Sequence, residues 1–73
     1  MENYEILKKF GKNIQKIRTN KKISIKELSQ MTEIREQYLK KIEKGTAIRV
    51  LTKHLFKIAS ALQVKPKELI KDL

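Results

Sequence analysis

Apolar residues recur at helical spacing in five stretches of this chain, divided by short polar breaks. Within Asn3–Asn20, Tyr4, Leu7, Phe10, Ile14 and Ile17 fall three or four apart, one stripe of a helix that runs as far as Thr19 with Ile6 at its flank. Gly11 costs such a helix roughly 1 kcal/mol relative to Ala. Either the small residue permits close packing within a continuous helix, the favoured reading, or the helix proper starts near Gly11 with a looser arm before it. Asn20, Lys21 and Lys22 end the period, and Ile23 is placed as the staple before a second helix. Ser24 and Glu27 have the Ser-x-x-Glu spacing of a capping box, so that helix is expected to start at Ile25 and to bury Ile25, Leu28 and Met31. Ile34, Leu39 and Ile42 supply the stripe of a third short helix, stopped by Gly45 in a left-handed conformation with Lys40, Lys41 and Lys44 near its negative end. Thr46–Leu51 reads as a loop. A fourth helix, capped by Thr52, buries Leu55, Phe56, Ile58, Ala59 and Leu62. After Val64 and Lys65, Pro66 suits the first turn of a short fifth helix ending at Ile70.

An all-α fold of five short helices follows, and a length of 73 residues leaves room for one domain. Without cysteine, neither disulfides nor thiolate metal sites are available. Lys and Arg number 18 against 8 Asp and Glu, a net charge of +10, so the expected partner is a polyanion: nucleic acid first, an anionic membrane surface second. No apolar run approaches 18 residues and MENYEILKK lacks a signal-peptide pattern, so a cytoplasmic protein with no membrane contact is expected. An enzyme is disfavoured by a single histidine, no Gly-rich phosphate loop and no pair of carboxylates in an apolar setting. No cofactor is implied. His54, the sole histidine, reads as an ordinary helix-surface residue.

The stretch Ser24–Gly45 organises the remainder. Two short helices with an outward face of long polar side chains are what a major groove accepts. Base edges would be read by Arg35, Glu36, Gln37, Lys40 and Lys41, since Gln bonds adenine bidentately, Arg or Lys favours guanine N7 and O6, and Glu accepts from cytosine N4. Tyr38 sits among them, suited to a phosphate or a thymine methyl, or to half-buried scaffold. Phosphate contacts would come from Ser24 and Lys26 at the start of the second helix and from Lys44, Thr46 and Arg49 after the third. Plainer readings compete. Lys40 and Lys41 also suit a solvated face, Lys21 and Lys22 need only solubilise a turn, and Glu36 can pair with Lys40 one turn on for ~0.3 kcal/mol.

IRTNKKISIKELSQMTEIREQYLKKIEKG followed by KHLFKIASALQVKPKEL resembles the phage-repressor and Cro-like helix-turn-helix family, also called the xenobiotic-response-element type, over about Phe10 to Leu69. The resemblance implies a five-helix fold, dimeric binding to a palindromic operator on double-stranded DNA, and transcriptional regulation. It further implies an ion pair between Arg18 and Glu43 that locks the third helix to the first. The chain departs from the family pattern at four places. Glu33 stands where the turn usually has Gly, Ser29 where Ala is common, Ile25 where a phosphate-clamping Gln is frequent, and Arg35 where Ser or Thr caps the recognition helix.

Three contexts stay open: a compact phage or mobile-element repressor, a controller protein of a restriction-modification system, which the length and the Tyr-containing recognition helix resemble, and an antitoxin or similar module that binds a protein partner. Exposed apolar candidates for a protein contact are Ile48, Val50, Leu51, Ile70 and Leu73. Ile70 and Leu73, with the fourth and fifth helices, are the candidate homodimer surface.

Overall fold

A computed structural model describes residues 4–47 and 52–71. They form five α-helices and no strand: α1 (Tyr4–Asn20), α2 (Ile25–Thr32), α3 (Glu36–Lys44), α4 (Thr52–Leu62) and α5 (Pro66–Leu69). Arg49, Ile48, Val50, Leu51 and Leu73 lie outside the described residues.

Side chains from every helix meet in one core, with Ile14 from α1, Leu28 from α2, Leu39 and Ile42 from α3, Ile58 and Leu62 from α4, and Leu69 from α5 all withdrawn from solvent. α1 runs unbroken through Gly11 because the backbone of α3 passes directly beside it. A Cβ on Gly11 would strike the carbonyl oxygens of Ile42 and Glu43. Gly45 makes a similar approach one turn earlier on α1, where a Cβ would sit 2.8 Å from the Cα of Lys8. The two glycines therefore allow α1 and α3 to lie backbone against backbone at two points. Two residues beyond Gly11, Asn13 donates through Nδ2 to the carbonyls of Leu69 and Lys71, each at 2.9 Å, and ties α5 to the bundle.

Each of α1 to α4 ends on a left-handed residue. Gly45, at φ 78°, ends α3 with the paired backbone bonds Gly45 N–H to Ile42 O and Thr46 N–H to Lys41 O. Lys22 and Gln63, both at φ 59°, close α1 and α4 by the same two-bond pattern without a glycine. Each left-handed side chain costs about 1 kcal/mol, offset by the carbonyls it satisfies.

Some expectations of burial need correction. Met31 is 52% exposed, and Thr32 takes the inward position at the end of α2. Its hydroxyl donates to Leu28 O at 2.7 Å and accepts from Ile34 N–H at 3.2 Å, so a polar group can be buried there without an unmet bond. Phe56 is 54% exposed, since α4 turns Ile58, Ala59 and Leu62 to the core. Thr52 is the first residue of α4 and not its cap, and α5 ends at Leu69 with Ile70 as its C-cap.

Candidate nucleic-acid interface

The capping box at the start of α2 is complete. Ser24 Oγ accepts from Glu27 N–H at 3.0 Å, and Glu27 Oε1 accepts from Ser24 N–H at 2.8 Å. The Ser24 hydroxyl is spent as an acceptor only, and its proton is still available to an incoming anion. Ser24 and the neighbouring Lys26 are both exposed.

A turn of fixed shape joins α2 to α3. Glu33 adopts φ 62°, ψ 24°, the conformation for which a glycine would be the cheaper residue, and donates its N–H to Ser29 O at 2.7 Å. Ser29 Oγ crosses the turn to donate to Ile34 O at 2.5 Å, and Thr32 holds the other side as described. Local pattern gave no sign that Thr32 would matter, because a Thr at a helix end is common and its hydroxyl bonds the preceding turn without any distant partner. Arg35 is the N-cap of α3 in extended conformation and makes no side-chain cap bond.

α3 is held in orientation by a charge as well as by its apolar stripe. Glu43 is 9% exposed and takes two bonds from Arg18 of α1, Nε to Oε2 at 2.7 Å and Nη2 to Oε1 at 3.1 Å. Arg18 Nη1 also donates to Ile23 O at 2.7 Å, so one guanidinium joins α1, the approach to α2, and α3. Leu39, Ile42 and Glu43 face inward. At roughly 100° per residue, Gln37, Lys41 and Lys44 point directly away from them, and all three are exposed. Lys40 and Glu36 lie toward the α1 side of that face, and Tyr38 toward α4. Among the described residues Glu36 forms no salt bridge with Lys40.

A cleft borders each side of the outward face. On one side Lys8, Lys12 and Gln15 of α1 stand opposite Lys40 and Lys44, with Ile25 of α2 at the rim. On the other, Arg35 and Tyr38 face Lys53, His54 and Lys57 of α4. Thr46, exposed beyond the end of α3, donates its hydroxyl to Lys41 O at 3.3 Å. Lys8, Lys12, Lys53 and Lys57 were not singled out by sequence, since only the packing of α1 and α4 on α3 brings them alongside.

His54, expected as an ordinary helix-surface residue and not a ligand or base, is half-buried on α4. Its ring meets Tyr38 edge-on, centroids 5.4 Å apart and planes at 69°. Nδ1 is buried with no hydrogen-bond partner among the described residues. Burial, then the charges of Lys53 and Lys57, pull its pKa below the ordinary 6.5. Tyr38 is half-buried at the edge of the face. Among the described residues no group of three His, Asp or Glu gathers to hold a metal, and no helix is long and apolar enough to cross a membrane.

The protein-family model for the Cro/C1-type HTH DNA-binding domain matches residues 13–72. Among solved structures, this chain is similar to the restriction-modification controller protein C.AhdI from Aeromonas hydrophila, with 32% sequence identity and a TM-score of 0.82 over 86% of this chain and 94% of that one. Comparison with curated proteins finds no match.

Proposed function

The chain belongs to the Cro/C1-type helix-turn-helix DNA-binding family, and from that membership we propose that it is a sequence-specific transcriptional regulator acting as a homodimer on a palindromic operator, with no catalytic activity. The observation that carries this reading is the outward face of α3, where Gln37, Lys41 and Lys44 project from a helix locked by the Arg18–Glu43 pair and bordered on both sides by lysines. Gln37 and Lys41 read base edges, with Arg35 and Glu36 at the helix start. Ser24, Lys26, Thr46 and Arg49 hold phosphates and set register.

The similar C.AhdI structure is of a restriction-modification controller protein, which favours that context over a phage repressor. In this reading a second copy packs against α4 and α5, where Ile70 is 47% exposed. The exposed pair Met31 and Phe56, beside Ala61 in a shallow groove, favours a second role in binding a protein partner, as an antitoxin does; this is compatible with DNA binding.

Titration of a labelled mixed-sequence duplex at increasing salt tests the reading. Binding that falls steeply and linearly in log Kd against log salt, through counterion release, is expected. Binding that is absent, or indifferent to salt, refutes it.

A further inference from the structure

The cleft between α1 and α3 carries four lysines and, apart from the Glu43 carboxylate already bound by Arg18, no acid among its lining residues. Lys8 and Lys12 lie one turn apart on α1, Lys40 and Lys44 one turn apart on α3. All four are exposed, and none forms a salt bridge among the described residues. Their proximity is imposed by the backbone. Gly11 and Gly45 let α1 and α3 touch main chain to main chain, and a side chain at either position would separate the two pairs. Four exposed cations on two helices held together at the backbone concentrate positive charge along this cleft, which an anion entering it would neutralise.

We propose that this cleft is a phosphodiester-binding channel: Lys8 and Lys12 hold consecutive phosphates of one DNA strand as it leaves the groove occupied by α3, and Lys40 and Lys44 complete its other wall. The inference rests on the DNA-binding reading and extends it in two ways. It assigns α1 a part in contact with DNA, and it moves Lys40 from base reading to the backbone, because its side chain lies on the α1 flank and not beside Gln37 and Lys41. Gln15, exposed at the inner end of the cleft, adds a neutral donor for the same strand.

The test is the salt dependence of binding to a mixed-sequence duplex by the full chain and by K8Q/K12Q. Both side chains are exposed, so the variant should melt with the wild type. Each phosphate contact contributes about 0.9 to the slope of log K against log salt. The slope of K8Q/K12Q should therefore be shallower by about 1.8, with equal loss of affinity on every sequence. K8R/K12R keeps the charges and should restore the slope. K9Q/K16Q removes the same charge from α1 outside the cleft and should change it far less. An unchanged slope in K8Q/K12Q, or an equal change in K9Q/K16Q, overturns the channel while leaving DNA binding standing. A wild-type chain that binds no DNA overturns both, and is told apart because the wild type itself fails.

Discussion

Arg18 meets Glu43 side by side, two guanidinium nitrogens on two carboxylate oxygens, and fastens the α3 helix to α1 with both side chains nearly withdrawn from water, 11% and 6% exposed. Removing one partner strands the other charge in that setting. Glu43→Ala should cost about 3 kcal/mol, lowering the melting temperature by roughly 15 °C in a domain this small. Replacing both residues with apolar ones of similar volume should recover much of the loss. A melting curve for Glu43→Ala that overlays the wild type would show that the pair does not hold α3.

Gly11→Ala sets two effects against each other. Alanine gains about 1 kcal/mol of helix propensity, but its methyl meets the Ile42 and Glu43 carbonyl oxygens, which are main chain and cannot rotate aside. The clash should win by about 2 kcal/mol, seen as a lower urea midpoint. A raised midpoint would mean that α1 and α3 do not touch there.

How far the sequence was legible follows from the range of each signal. The capping box at Ser24, the stop at Gly45, the turn at Pro66 and the stripe Ile34, Leu39, Ile42 are local, and each is found where its spacing predicts. Met31 and Thr32 could not be separated this way. They are adjacent on a two-turn helix, and the contact with α4 together with the hydroxyl's bond to Leu28 O decides which turns inward. Phe56 likewise fits the period of α4 but lies at the edge of its stripe. Lys22 and Gln63 carry no glycine to announce a left-handed stop. The two clefts join residues far apart in sequence, and periodicity within one helix is silent on which helix lies alongside it.

His54 should make stability depend on pH. Burial and the nearby Lys53 and Lys57 hold its folded pKa below 6.5, and Arg35 and Glu33 also face the cleft it shares with Tyr38. In that window the unfolded chain binds the proton that the folded chain has lost, so stability rises with pH. The contribution is complete above 6.5 and declines as pH falls through the folded value. Chemical denaturation should show this slope just below pH 6.5 and its loss in His54→Gln. A slope of opposite sign, or one that His54→Gln retains, would contradict the buried Nδ1.

The proposed dimer places Ile70 in its apolar contact. Ile70→Lys should weaken self-association at least 10-fold, or about 1.4 kcal/mol, in sedimentation equilibrium, and should leave the monomer fold intact because the side chain is half exposed. A wild type that stays monomeric at high concentration would remove this surface from the account.

The claim on which the rest depends is that the outward face of α3 distinguishes base pairs, and selection of duplexes from a random pool tests it most directly. The pool should converge on a two-fold-symmetric sequence, and Gln37→Ala should lose about 1–3 kcal/mol on it, relaxing preference at one base pair in each half, with binding to random DNA unchanged. A pool that never converges, or equal losses for Gln37→Ala on selected and random DNA, would contradict it.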